Sequence, residues 1–161
     1  MKGNNKKEEC KMTETDAAYI AGLIDGEGSL VLAKSRCKDK THMGKRGFVW
    51  EPRISIGMTD TEGLDFIKKI CGKKRLREAL NKGYKKMYFL TLYSNGIRQF
   101  LPLIAVYLKV KQKQSQLLLE AVDSLKPKSD IDVDDRLEEI YLKLKELNHS
   151  RYKPIWIYIL R

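Results

Sequence analysis

Residues 17–29 read AAYIAGLIDGEGS, and more of the fold turns on them than on any other stretch of the chain. Ala18, Gly22 and Gly26 fall four apart, which stacks them on one face of an α-helix, and Ala17 and Ala21 widen that stripe. Side chains this small let a second backbone approach closely. Asp25, Gly26, Glu27 and Gly28 follow, delivering two carboxylates to the C-terminal end of the helix. That end is the negative pole of the helix dipole, so two acids there are unfavourable without a compensating cation. Oxygen ligands beside a free carbonyl suit Mg²⁺. The plainer alternative is a turn in which Asp25 bonds nearby backbone and Glu27 faces water.

Working outward, Thr13 or Thr15 can cap this helix over residues 16–25, with Gly26 and Gly28 stopping it. Residues 29–34, SLVLAK, read as a strand of unclear parity, where a bulge would reset which side chains point outward. A loop rich in Lys, Gly and His spans 36–47. Residues 48–58 form a second strand, with Trp50, Pro52, Ile54 and Ile56 on one parity and Glu51, Arg53 and Ser55 on the other. Pro52 calls for an edge position or a bulge. Thr59 or Asp60 caps a second helix that runs to Cys71 and ends at Gly72. Residues 74–80 and 85–93 make a hairpin around Asn81, Lys82 and Gly83. Ser94 or Asn95 starts a third helix that Pro102 bends or ends. Residues 109–125 form an amphipathic helix, Lys126, Pro127 and Lys128 a linker, and Asp130 or Asp132 starts a last helix to residue 147. The fold class is therefore α+β: an antiparallel sheet backed by helices on its apolar parity, with the other parity open to a partner.

The composition says which partner. Lys and Arg number 32 against 21 Asp and Glu in 161 residues, a net charge of +11. Such an excess points to a polyanion, most often nucleic acid. Residues 28–94 hold sixteen bases and six acids, a net of about +10, whereas residues 120–146 are net acidic by about 4. The surplus thus falls on the predicted sheet. No apolar window is long enough to span a membrane, and the N-terminus lacks the apolar stretch of a secretion signal, which implies an intracellular protein of cytoplasm or organelle. Cys10, Cys37 and Cys71 form no CxxC pair, and His42 and His149 form no zinc cluster. The chain divides into a basic tail (1–12), one domain (13–148) and an apolar tail (149–161) ending in KPIWIYILR, whose Trp156 and Ile157 call for burial.

Residues 20–28, IAGLIDGEG, resemble the motif of the LAGLIDADG homing endonucleases, eight residues matching in type or by close substitution. Residues 107–114, YLKVKQKQ, resemble the segment that opens the long helix of that family's single-motif members. The element order αββαββα over residues 13–125 is the order of the family core. One motif in the chain implies a homodimer, its motif helices packed on the two-fold axis through Ala18, Ala21, Gly22 and Asp25. The implied function is site-specific double-strand DNA cleavage of the intron-homing type, on a long pseudo-palindromic site, leaving short 3′ overhangs. The implied metal ligand is Glu27, where the family consensus has Asp, together with the carbonyl of Gly26. The implied cofactor is Mg²⁺, with Mn²⁺ or Ca²⁺ able to replace it for binding. Asp25 is the family's earlier acid, read as support for the helix end with a weaker case for direct catalysis, and Lys111 fills the active-site lysine position. Where the family often has a water-orienting Gln, this chain offers Met58 or Thr59, and Met58 cannot do that job.

On an antiparallel sheet that enters the major groove, parity selects Arg53, Arg75 and Arg77 for base reading, then Ser55, Glu51, Lys86 and Tyr88. Lys34, Arg36, Lys38, Lys45 and Arg46 suit phosphates or flanking bases. The same resemblance admits two rival functions. One is an RNA-splicing maturase, with intron RNA as partner. The other is a DNA-binding regulator without catalysis.

Overall fold

The capping that opens the first helix is reciprocal. The Thr13 side chain accepts the Asp16 N–H at 3.1 Å, and the Asp16 carboxylate accepts the Thr13 N–H at 3.0 Å. Two orphan donors are satisfied at once, so Thr13 rather than Thr15 is the cap and α1 spans Glu14–Glu27. The computed structural model describes residues 12–36, 48–71, 76–79, 86–125 and 131–149. Gly26 does not stop α1. The helix ends at Gly28, whose N–H bonds the Ile24 carbonyl. A Cβ on Gly28 would lie 2.6 Å from that same oxygen, so glycine alone lets the strand leave the helix this tightly.

Strand β1 (Gly28–Arg36) turns directly off this end, and β2 (Phe48–Met58) returns beside it. Helix α2 (Glu62–Cys71) follows, its Glu62 N–H capped by Asp60 at 2.8 Å. Strands β3 (Leu76–Ala79) and β4 (Met87–Tyr93) complete a four-stranded antiparallel sheet in the order β1-β2-β4-β3. The β1–β2 register runs unbroken from Gly28 opposite Ile56 to Arg36 opposite Phe48, so β1 carries no bulge. Its apolar pair Leu30 and Leu32 faces inward and Val31 and Ala33 face outward. Strand β4 pairs with β2 only from Arg53 onward. Pro52, which has no N–H to give, therefore falls in the half of β2 that lacks a partner on that side.

Helix α3 (Ser94–Ile104) holds Pro102 in its last turn and gives way to a 3₁₀ turn, Ala105–Tyr107. The ring of Pro102 removes one backbone donor and helps end the helix. Helix α4 spans Gln112–Ser124, three residues shorter at its start than the amphipathic pattern suggested, and α5 spans Ile131–His149. One hydrophobic core joins the helices to one face of the sheet, with Ile20, Ile24, Leu30, Ile54, Ile56 and Leu90 fully buried in it. Helix α5 clamps the far end of β1 and β2. Trp50 Nε1 donates to Asp134 at 3.3 Å, Asn148 donates to the Leu30 carbonyl at 3.0 Å, and Lys34 pairs with Glu138 at 2.5 Å.

Among the described residues no helix is long and apolar enough to cross a membrane. The expectations for both tails, for the loop before β2, for the turn at Asn81–Gly83 and for the linker at Lys126–Lys128 fall outside the described residues.

Candidate functional site

The end of α1 is built by contacts from the far side of the chain. Asp25 Oδ2 accepts the backbone N–H groups of Lys109 and Val110 at 2.7 and 3.1 Å, and Oδ1 accepts that of Lys111 at 2.8 Å. Lys111 answers in the opposite direction: its Nζ donates to the carbonyl of Ile24 at 2.8 Å and to that of Asp25. Lys111 is only 7% exposed. One side chain of α1 thus holds the backbone leading into α4, and one side chain from that backbone holds the last turn of α1. These bonds also explain the late start of α4, because residues 109–111 are drawn onto Asp25.

The electrostatics follow from this clamp. No basic residue lies in the last turn of α1. The cation that offsets its negative pole is the Lys111 ammonium, supplied from elsewhere in the chain. Burial pushes the Asp25 carboxyl up, but the amides of Lys109, Val110 and Lys111 and the charge of Lys111 outweigh it and hold the carboxyl below its ordinary value. The two acids of the motif therefore divide. Asp25 is engaged with backbone amides, while Glu27 projects exposed at the junction of α1 and β1.

As a metal site, Glu27 and the Gly26 carbonyl offer hard oxygen donors of the kind Mg²⁺ and Ca²⁺ take. Among the described residues, no three His, Cys, Asp or Glu side chains gather as a cage. The donor set fits a divalent ion that keeps part of its water shell or is shared with a second copy. It does not fit zinc, which wants nitrogen and sulfur ligands. Met58 is half-buried against the core beside Gly63, whereas Thr59 stands exposed past the end of β2.

The sheet presents its other face beside Glu27. The register sets side chains in rows across it: Gly57 with Phe89, then Ser29, Ser55 and Thr91, then Val31, Arg53 and Tyr93, then Ala33 and Glu51. Ser55 Oγ and Thr91 Oγ1 are 3.3 Å apart. Arg53 Nε lies 3.5 Å from Glu51 Oε2 without an aligned hydrogen bond. Arg53, Ser55 and Glu51 thus stand together on the open face, as parity suggested.

Two expected contacts do not stand there. Tyr88 lies opposite Met58 and packs against the core, because the inward parity of β4 is that of Leu90 and Leu92. Lys34 shares the parity of Leu30 and Leu32. Its stem carries Nζ to 4.3 Å from the Phe48 ring centroid, where it meets Glu138 of α5 on the helical side. Lys86 is exposed just ahead of β4. Arg77 is set opposite Phe89 and Arg36 opposite Phe48 by register, while Lys38, Lys45, Arg46 and Arg75 fall outside the described residues.

The charge is placed accordingly. Of the sixteen bases in residues 28–94, Arg53 is the one whose described side chain lies on the open face. Most of the others belong to the two stretches that join β1 to β2 and α2 to β4. By register Arg77 shares the row of Phe89 and Gly57, so the open face has arginine positions at Arg53 and Arg77. Ser29, Val31, Phe89 and Thr91 are open-face residues that parity reasoning passed over. The signal was present in Leu90 and Leu92, whose burial turns their odd-numbered neighbours outward.

On the opposite flank, Ala18 is exposed, and a Cβ on Gly22 or Gly26 would meet nothing within 4 Å. Ala21 is corrected from this stripe to the core, where it is fully buried. Val106 and Val110 are exposed on the segment that packs beside α1, adding apolar surface to that flank.

No family model and no curated protein matches the chain. Its fold, however, is that of solved homing endonucleases. It matches I-CvuI in complex with the I-CreI target at a TM-score of 0.71 and 20% identity, over 83% of this chain and 82% of that one. It matches the archaeal intron-encoded I-Vdi141I complexed with DNA at 0.71 and 23%, over 83% and 84%. The LAGLIDADG homing endonuclease I-SmaMI bound to cleaved DNA matches at 0.61 and 18%, over 86% of this chain and 49% of that one. The chain has the LAGLIDADG homing-endonuclease fold.

Proposed function

We propose that this chain is a site-specific DNA endonuclease of the intron-homing type, working as a homodimer with a divalent metal on a long pseudo-palindromic duplex. The observation that carries the proposal is the division of the two motif acids. Asp25 is spent on backbone amides, and Glu27 is left exposed where the open sheet face begins. The fold supports the same substrate, since I-CvuI, I-Vdi141I and I-SmaMI were each solved on DNA.

Glu27 and the Gly26 carbonyl, with the same pair from a second copy, would hold Mg²⁺, which when bound supplies Lewis-acid assistance to phosphodiester hydrolysis. Asp25 and Lys111 fix the end of α1, so that Glu27 starts from one position rather than from a fraying helix end. In this reading Lys111 acts through α1, and the resemblance to an active-site lysine is expressed as support for Glu27. Thr59 is the polar group nearest the expected water-orienting place. The exposed stripe of Ala18, Gly22 and Gly26 packs against its copy, which brings two Glu27 carboxylates together and gives each subunit one half-site. Cleavage of both strands then leaves short 3′ overhangs.

The test is a randomised duplex library incubated with the full chain in Mg²⁺ or in EDTA, with sequencing of the cut ends. The expected result is one long site of two-fold pseudo-symmetry, cut with a fixed 3′ overhang in Mg²⁺ and intact in EDTA. Absence of cutting in Mg²⁺, or cutting without sequence preference, overturns the proposal.

A further inference from the structure

The open face of the sheet carries apolar side chains beside its arginine positions. Val31, Val49, Met87 and Phe89 lie on it half-buried, and none packs against the hydrophobic core. Phe89 is the largest of them. Its ring lies across the backbone of Gly57 on the neighbouring strand, so closely that a Cβ on Gly57 would stand 2.5 Å from Phe89 Cε1. The glycine gives the ring a flat seat. The ring is then held on the open face, at the end of the sheet where α1 delivers Glu27. One row further on comes the hydroxyl row of Ser29, Ser55 and Thr91, and beyond it Val31 beside Arg53. The strand face thus sets an apolar residue opposite an arginine position in two rows, Phe89 with Arg77 and Val31 with Arg53, and a hydroxyl row lies between them.

This pattern fits base edges better than phosphates. In the major groove, thymine is the base that presents a methyl group, and apolar side chains are the groups that favour it. Hydroxyls donate to or accept from any base and set no strong preference. We infer that Phe89, seated on Gly57, and Val31 are specificity-determining residues that read thymine methyl groups in each half-site, Phe89 at the position nearer the cut and Val31 further out. The inference rests on the proposal that DNA lies on this face. Given that, it names the chemistry by which apolar side chains of the strand face select sequence.

The experiment uses duplexes selected from a randomised library by binding to the full chain in Ca²⁺. Each thymine of the selected site is then replaced singly by deoxyuridine, which removes the methyl and nothing else. For the unaltered chain, deoxyuridine at two positions per half-site is expected to weaken binding about fourfold, the scale of one buried methyl group. Phe89→Ala abolishes the sensitivity at the inner position and leaves the outer one. Gly57→Ala, which displaces the ring without removing it, shifts or abolishes the inner sensitivity as well. Phe89→Leu keeps it, which shows that apolar contact rather than folding is being read. Equal affinity for thymine and deoxyuridine at every position overturns the inference, as does an inner sensitivity unchanged in Phe89→Ala. The two proposals fail separately. A chain that selects no DNA sinks both, a chain that binds its site in Ca²⁺ and never cuts it in Mg²⁺ sinks only the nuclease, and a chain that cuts a site indifferent to thymine methyls sinks only this inference.

Discussion

The two faces of one sheet are made from the same four strands and obey different rules. On the helical face, Leu30, Ile54, Ile56, Leu90 and Leu92 are almost wholly buried, because the centre of that face must exclude water. On the open face, hydroxyl, aromatic, aliphatic and charged residues succeed one another row by row, and none packs against the core. The difference teaches where stability ends and recognition begins. Changing an inward residue should cost folding energy, and changing an outward residue should leave the fold alone and alter what it meets.

The comparison can be broken most sharply at Leu90. Leu90→Ala should lower unfolding free energy by about 2–5 kcal/mol, measured by denaturant titration, because it opens a cavity in the core. A loss below 1 kcal/mol would mean that the inward face is not the stabilising one. Asp25→Ala comes next. It leaves three backbone amides without their acceptor and Lys111 without its charge partner, at a cost of about 1–3 kcal/mol. The same group makes stability pH-dependent. The folded-state carboxyl sits below its ordinary value, so its contribution is fully present above about pH 4 and is lost as pH falls further through the lowered value. Asp25→Asn should flatten that part of the acid limb, and an unchanged limb would remove Asp25 from the clamp.

On the open face the effects move from stability to recognition. Arg53→Gln should reduce discrimination at one base position by roughly 1–3 kcal/mol while denaturation stays within about 0.5 kcal/mol of the unaltered chain. Replacing Lys38, Lys40, Lys45 and Arg46 together by Gln should instead weaken binding to all sequences alike. It should also make the logarithmic salt dependence shallower by up to about 3.6, four phosphate contacts at about 0.9 each. If those replacements changed sequence preference and left the salt slope alone, the division between base-reading strands and phosphate-holding connections would be wrong. Ser55→Ala is the smallest change, expected within about 0.5 kcal/mol in both stability and binding, since hydroxyls select bases weakly.

Much of this was legible in the sequence where one physical demand dominates. Strand β2 matches its expected bounds because Trp50, Pro52, Ile54 and Ile56 alternate cleanly with polar neighbours. The motif helix was recognisable from its small residues and paired acids. Less was legible where two demands compete. Tyr88 has a polar tip on an apolar body, and parity weighed the tip while the fold packed the body against the core; Lys34, read with the loop after β1, instead lays its stem toward Phe48 and Glu138. Ala21 suits a helix–helix stripe and a tight core equally, and the core took it. The expected compensation for the acidic helix end was a metal ion, whereas for Asp25 it proves to be Lys111, whose approach depends on a tertiary contact that no local spacing encodes. Net charge along the chain, likewise, records how many bases there are and not which face they take.

In the proposed function Glu27 supplies the carboxylate for cutting, and the open face binds and selects the duplex. Glu27→Gln keeps the size and polarity of the side chain and removes its charge. The direct measurement is affinity in Ca²⁺ and cleavage in Mg²⁺ for this variant and the unaltered chain, on one selected duplex. Affinity within about threefold of the unaltered chain, with cleavage lost by at least a thousandfold, is the predicted result, on the scale of removing a principal catalytic group. Undiminished cleavage by Glu27→Gln would contradict the account.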